Sequence, residues 1–192
     1  MLARVKTLLN IMRKVIEKVE VIRSDQRGLA AVEFALIAGM LPLGVLNTAD
    51  LSIYIYQRME VENATQMGAQ AIWKFCDPNQ NPNVLPATTN CSGLTTAVEN
   101  AVQSTSLGTR VSLQSSPSEG YYCMNNLNAL IYVSPVTDPK PTDCSAAGMP
   151  SLKPGDYIKI QTTFSYAPLF SGITVASALA TPITKTALMR LE

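Results

Sequence analysis

The chain contains no histidine and no C-x-x-C pair of cysteines. Without histidine, the usual general base at neutral pH is missing, and the remaining candidates are scattered Asp and Glu residues among which no carboxylate pair stands out. A structural zinc site lacks its customary ligand spacing. We therefore predict that the protein is not an enzyme and that it uses no cofactor and no metal.

Glycine-rich phosphate-binding loops are also lacking. The sequence Pro154-Gly155-Asp156 is typical of a turn rather than of a ligand site. Basic residues are sparse beyond Arg58, so we predict that the region after it binds no nucleic acid.

Positive charge is in excess only at the N-terminus. Residues 1–28 carry seven Lys and Arg against three Asp and Glu, and the remaining residues carry eight against eleven. Positive residues resist translocation, so this asymmetry predicts a cytoplasmic N-terminus and a C-terminal region on the far side of a membrane. Within residues 1–26, apolar side chains recur at intervals of three and four, which predicts an amphipathic basic helix, either on the anionic membrane surface or in solvent.

A single run of the sequence is long and apolar enough to cross a bilayer. The stretch Leu29–Leu46 carries one charge, Glu33, and the apolar pattern continues to Tyr56. About 20 helical residues span the hydrocarbon core, and this run passes directly into a further helical pattern instead of ending at a signal-peptidase site. We predict a single-pass anchor with Tyr54 and Tyr56 at the membrane interface.

The predicted fold class is α+β, with a long N-terminal helix packed on a small antiparallel sheet and a short extra helix. The helical pattern extends from about Leu29 to about Phe75, and a short helix is predicted near Leu94–Thr105. Four segments are predicted as strands: Arg110–Gln114, Leu127–Val133, Tyr157–Ser165 and Thr184–Leu191. The predicted divisions are a cytoplasmic leader (1–28), a transmembrane helix (29–56), its periplasmic continuation (57–75) and a periplasmic α+β domain (76–192).

All four cysteines follow the apolar run, as expected for an oxidising compartment such as the periplasm. We favour disulfides Cys76–Cys91 and Cys123–Cys144 over the other two connectivities, because each closes a short local loop. Four unpaired, buried thiols are the alternative.

The start of the apolar run carries the most informative motif, Arg27-Gly28-Leu29-Ala30-Ala31-Val32-Glu33-Phe34. It resembles the processing site of type IV prepilins of the Tad class, which a membrane aspartic peptidase cuts after the glycine. The resemblance implies that Gly28 ends the leader and that Leu29 is the mature N-terminus. It also implies that Glu33, followed by Phe34, pairs with the mature amine of a neighbouring subunit in an assembly salt bridge. The alternative is a glutamate that reaches to water at the interface.

Two further segments are similar to TadE-like proteins. One is Glu62-Asn63-Ala64 with Gly68-Ala69-Gln70-Ala71, and the other is the ending 187–192. Residues 77–153 resemble nothing that we can align. The long leader and the large domain favour a minor pilin or pseudopilin over the main filament subunit.

The resemblance implies a subunit of the bacterial inner membrane that takes part in assembly or initiation of a Tad-type pilus, and so in adhesion and surface attachment. Its expected partners are other pilin subunits through the N-terminal helix, the prepilin peptidase, the inner-membrane assembly platform and the lipid bilayer. Two alternatives are an uncleaved single-pass adaptor with a periplasmic interaction domain beside a secretion complex, and an anchored carbohydrate- or envelope-binding module. The only hint of the second is the pair Tyr121 and Tyr122.

Overall fold

The computed structural model describes residues 26–79, 81–179 and 182–192, and it leaves out the side chains of residues 26, 27 and 82. The leader helix predicted for residues 1–26 therefore lies outside the described residues, apart from its last residue. The chain divides into two compact units, Met1–Ala49 and Asp50–Glu192.

The first helix, α1, extends over 50 residues, Gln26–Phe75, with Pro42 inside it. Its bounds confirm the long helix predicted from about Leu29 to about Phe75. In the part of the chain that the structure describes, α1 is the one helix long and apolar enough to cross a membrane. The most apolar part of this helix is not buried against the rest of the described chain.

Two further helices and several 3-10 turns belong to the second unit. Helix α2 is the short segment Ala87–Asn90, and α3 is Leu94–Gln103, which confirms the helix predicted near Leu94–Thr105. Helix α3 is amphipathic, because its buried residues Leu94, Val98 and Val102 recur every four positions. The 3-10 turns are Pro82–Val84, Gly108–Arg110, Ser145–Ala147 and Val175–Ala178.

The strands of the described region form one antiparallel sheet of five. They are β1 (Val111–Leu113), β2 (Ser118–Met124), β3 (Leu130–Pro135), β4 (Gly155–Phe164) and β5 (Ile183–Arg190). Strand β4 is central: β5 pairs along one edge, and β1 and β2 share the other edge, with β3 outside β2. The four predicted strands are present, and β2 is an additional one that the sequence pattern did not indicate.

The core of the second unit lies where β4 meets the two longer helices. Along β4 the inward side chains alternate with outward ones and are Ile158, Ile160, Thr162 and Phe164. They join a cluster of buried residues from α1 and α3. This helix-on-sheet arrangement confirms the predicted α+β class.

The second unit also contains the turn before β4 and two disulfides. Gly155 and Asp156, predicted as part of a turn, instead open β4, and the turn lies before them, where Leu152 N donates to Met149 O at 3.0 Å. The structure joins Cys76 to Cys91 and Cys123 to Cys144, with Cα–Cα distances of 6.1 and 5.6 Å. This is the connectivity that the local-loop argument favours.

Candidate functional site

The predicted processing segment lies in the first turns of α1. Gly28 and Leu29 lie in α1, two and three positions after Gln26, where the described residues begin. A Cβ added to Gly28 would have no neighbour within 4 Å, and Leu29 is exposed. Both residues of the predicted cleavage site are therefore exposed on the surface of the helix.

Glu33 and Phe34 lie one turn further along the same helix. Residues four apart share a helix face, so Leu29 and Glu33 lie on the same side of α1. The Phe34 side chain is 73% exposed. The structure thus brings Gly28, Leu29, Glu33 and Phe34 together within two turns, while the four cysteines belong to the other unit.

In the part of the first unit whose side chains the structure describes, residues 28–49, large apolar side chains are exposed around the helix. The exposed ones include Val32, Leu36, Ile37, Met40, Leu41, Leu43 and Val45. A helix that is apolar all round and unburied suits lipid or the apolar faces of other helices better than water. A shallow hollow on its surface is lined by Leu41, Gly44, Val45, Thr48 and Ala49. Small residues at such positions allow a second helix to approach closely.

In the second unit, small residues of α1 form a packing seam against α3 and β4. Ala64 and Thr65 are buried. A Cβ on Gly68 would lie 2.7 Å from Val102 Cγ2 and 3.0 Å from Ile160 Cδ1. The hydroxyls of Thr65 and Thr162 are hydrogen-bonded at 2.5 Å. The alanine and glycine positions of the E-N-A…G-A-x-A pattern therefore have a structural cause, which is close contact between elements.

The same pattern contributes an ion pair to the last strand. Glu62 Oε2 lies 2.6 Å from Lys185 Nζ in β5. The Glu62 side chain remains 52% exposed and that of Lys185 19% exposed. The pair ties β5 to the helix, although a partly exposed ion pair of this kind contributes little to stability.

Asp50 is a fully buried carboxylate at the first position of the second unit. Its oxygens accept hydrogen bonds from Leu169 N at 2.8 Å, Phe170 N at 3.4 Å and Thr174 Oγ1 at 2.5 Å. The Tyr166 hydroxyl donates to the Asp50 carbonyl at 3.3 Å. A buried carboxylate is costly unless it is hydrogen-bonded, and here four residues of a single loop satisfy it. We call this arrangement the Asp50 clamp.

Asp50 was missed by the sequence reasoning, which placed it inside the predicted span 29–56. The available signal was an acidic residue within that span, because such a residue needs a partner. The partners could not be named from the sequence, since they lie 116 to 124 positions away.

The tyrosines named in the sequence analysis differ in how exposed their side chains are. Tyr54 is half-buried and packs edge-on against Tyr166, with ring centroids 5.0 Å apart. Tyr56 is 59% exposed, and its interfacial position stays a prediction. Tyr122 is buried between the rings of Tyr132 and Tyr157. It is therefore a packing residue, whereas Tyr121 is half-buried, with Lys140 Nζ 5.9 Å from its ring centroid.

A buried carboxyl pair is present although no pair stands out in the sequence. Glu119 faces Ile158 and Asp156 faces Tyr121 across β2 and β4, so both acids point to the same side of the sheet. Glu119 accepts hydrogen bonds from Ala87 N at 2.9 Å and Thr88 N at 2.8 Å. Burial, and secondly the negative charge of Glu119, raise the pKa of Asp156 to about 7.

Raised pKa values occur at catalytic sites and also in structural networks. Here the Asp156 side chain is only 3% exposed, so a substrate has no access to it. The Glu119 carboxylate bonds the start of α2 to the sheet. We interpret the pair as structural.

Comparison with known proteins identifies one family. Residues 28–70 match the family model described as TadE-like protein. The match begins at Gly28 and ends just beyond the small-residue seam, which confirms the TadE-like resemblance over these residues. No curated protein and no solved structure matches the chain.

Proposed function

Because residues 28–70 match the TadE-like family, we propose that this chain is a minor pilin or pseudopilin that is cleaved after Gly28 and takes part in assembling a Tad-type pilus. The observation that carries the proposal is the coincidence of three features at one place. The family match begins at Gly28, Gly28 and Leu29 are exposed, and an acidic residue follows Leu29 by one helical turn.

Cleavage would be favoured by the residues around Gly28. Glycine has no side chain, so a peptidase active site can approach its backbone closely. The open space around Gly28 supports this access. The prepilin peptidase would release a basic leader of 28 residues and leave the amine of Leu29 at the end of an apolar helix.

Glu33 would then provide the negative partner for that amine. A carboxylate at the bilayer centre costs about 2.5–3.5 kcal/mol on the insertion scale. Pairing with the α-amine of a neighbouring subunit would offset this cost, and it would do so only where another cleaved subunit lies alongside. The apolar, unburied surface of residues 29–49 supports contact first with lipid and then with other pilin helices.

The second unit would form a disulfide-braced domain on the periplasmic side, and the assembly platform would receive the helix at the inner membrane. The role of the second unit would be structural. The contact of Glu119 with the start of α2 supports this role, because it holds the short helix to the sheet.

A processing assay with two glycine variants tests the proposal. We expect the wild-type chain to lose 28 residues when it is co-expressed with a prepilin peptidase, and Gly28→Leu to remain full length. Gly39→Leu is the matched control, because Gly39 lies in the same helix with equally open surroundings, and we expect it to be cleaved. Equal cleavage of both variants, or no cleavage of the wild-type chain, would contradict the proposal. An uncleaved wild-type chain would instead favour the membrane adaptor.

A further inference from the structure

The loop of residues 165–179 is uncharged and presents large aliphatic side chains to its surroundings. The sequence has no charged residue between Lys159 and Lys185. Leu169, Ile173 and Val175 are 64%, 59% and 63% exposed. Three large exposed apolar side chains thus lie within seven residues of an uncharged loop, and exposed apolar side chains that lie close together mark contact sites for proteins or membranes.

The Asp50 clamp determines where along the helix this loop is attached. Leu169, Phe170 and Thr174 all donate hydrogen bonds to the Asp50 carboxylate. Asp50 is also the residue that directly follows the apolar stretch 29–49 in the sequence.

The length of that stretch indicates the depth at which Asp50 would lie. About 21 helical residues extend for about 31 Å, which equals the thickness of the hydrocarbon core. The headgroup regions add about 5–8 Å on each side. A helix that spans the bilayer with residues 29–49 therefore brings Asp50, and the loop hydrogen-bonded to it, into the outer headgroup layer.

The backbone of the loop is suited to a layer that is poor in water. Ile173 N and Thr174 N donate to Phe170 O at 3.2 and 3.3 Å, and Gly172 N donates to Ser177 Oγ at 3.0 Å. Leu179 N donates to Ala176 O at 3.2 Å. Backbone groups that find partners within the loop do not need water, which lowers the cost of contact with lipid.

We propose that loop 165–179 is a membrane-contact element, whose Leu169, Ile173 and Val175 side chains insert at the boundary between headgroups and acyl chains of the bilayer that the helix spans. The proposal rests on the membrane anchoring that is part of the proposed function. Uncharged aliphatic side chains favour this boundary over water, and the absence of Lys and Arg indicates that the contact depends on apolar burial rather than on anionic lipids.

Fluorescent labelling of the full chain in lipid vesicles tests the proposal. All four native cysteines are paired, so a single introduced cysteine can be labelled with an environment-sensitive fluorophore. The vesicles contain phosphatidylcholine with or without a phospholipid that carries a nitroxide at its headgroup. For Ile173→Cys we expect blue-shifted emission and roughly twofold quenching by the headgroup nitroxide. Leu127→Cys is the matched control, because Leu127 is a more exposed aliphatic residue, at 80%, in the turn between β2 and β3. We expect its emission to be water-like and unquenched.

A third label separates failure of this proposal from failure of the anchor. Met40→Cys lies in the apolar stretch, and we expect a nitroxide on the acyl chains to quench its label. If the Met40 position is quenched and the Ile173 position is not, the loop proposal is wrong and the anchor stands. If neither is quenched, membrane anchoring fails and the loop proposal fails with it. Blue-shifted emission at Ile173 that resists the lipid nitroxide and grows with the protein-to-lipid ratio would show that a second copy covers the loop, which also overturns the proposal.

Discussion

Single residues of α1 determine how closely the other elements of the second unit can approach it. Gly68 shows this most clearly, because the space for its side chain is already filled by Val102 and Ile160. Ala64, one turn earlier, is fully buried in the same seam. A larger side chain at these positions would force the helix away from β4, since protein interiors are close-packed.

We predict that Gly68→Val destabilises the protein by about 1–3 kcal/mol through overpacking. Trp73 is the single tryptophan and packs against the core, so its fluorescence can follow unfolding of the full chain in detergent. Gln70→Val is the control: the exposed Gln70 lies on the same helix, and we expect a change within about 0.5 kcal/mol. Equal effects of the two substitutions would contradict the packing argument.

Asp156 makes stability depend on pH in the opposite sense to an ordinary carboxylate. Its folded-state pKa is about 7, raised by burial and by Glu119, whereas an unfolded aspartate has a pKa of about 3.9. Between these values the folded state binds more protons than the unfolded state, so the free energy of unfolding falls as the pH rises. The Asp156 contribution is therefore fully present below about pH 4 and is lost by about pH 7.

We expect the wild-type protein to lose at least about 1 kcal/mol from this group between pH 4 and pH 7. Asp156→Asn should abolish this loss. Melting temperatures of the two proteins across this pH range test the prediction. The two proteins share all other titrating groups, so the difference between their curves reports on Asp156 alone. Parallel curves would show that Asp156 does not titrate in this range.

At the scale of secondary-structure elements, the disulfides hold irregular segments to regular ones. Cys76 lies directly after the end of α1, and its bridge to Cys91 attaches the loop that leads to α3. Cys123 lies in β2, and its bridge to Cys144 attaches the segment before β4. Among the described residues, the Cys76–Cys91 loop contains the 3-10 turn Pro82–Val84 and the short α2, whereas the Cys123–Cys144 loop contains β3.

We predict that replacing Cys76 and Cys91 together by alanine lowers the free energy of unfolding by about 3 kcal/mol, since a disulfide that closes a loop of about 15 residues constrains the unfolded chain by that amount. Chemical denaturation of oxidised wild-type protein and of the double variant provides the comparison. Adding a reductant should remove the difference due to this bridge. A double variant as stable as the oxidised wild-type protein would contradict the prediction.

The elements differ in how well the sequence predicts them, for reasons visible in the structure. Strands β4 and β5 alternate between inward and outward side chains, so their pattern of period two is readable. Strand β2 was not predicted because buried residues occur in adjacent pairs along it and its pairing with β3 shifts register between Tyr121 and Tyr122. Gly120 further weakens the strand signal, although glycine is required there because a Cβ would meet the Tyr132 ring at 2.6 Å.

The candidate site also contains residues that the sequence predicts and residues that it does not. Gly28, Leu29 and Glu33 lie within six residues of one another, so the motif and its helical spacing could be predicted from the sequence. The Asp50 clamp and the Glu119–Asp156 pair were not, because each joins segments that are far apart in the chain. No local pattern specifies which distant residue satisfies a buried carboxylate.

At the scale of the whole molecule, we propose that assembly of a filament depends on the apolar helix, the acidic residue near its start and the disulfide-braced domain. Within that account, Glu33 is required only after cleavage, when a neighbouring amine becomes available. Removing it should therefore leave processing intact and impair assembly.

We predict that Glu33→Ala is cleaved like the wild-type chain but enters sheared pilus fractions at least about tenfold less, a loss of about 1.4 kcal/mol or more in subunit association. Glu99→Ala is the control, because it removes the same charge from an exposed position of α3. Quantitative immunoblotting of pilus and membrane fractions measures both variants. Incorporation of Glu33→Ala at the wild-type level would refute the pairing role.

Cleavage after Gly28 is the central claim, since the amine, its partner and the mature helix all depend on it. N-terminal sequencing of the wild-type protein, extracted from membranes of cells that contain a prepilin peptidase, tests it directly. The account predicts a sequence that starts Leu-Ala-Ala-Val-Glu-Phe, at Leu29. A protein that still starts at Met1 would contradict it.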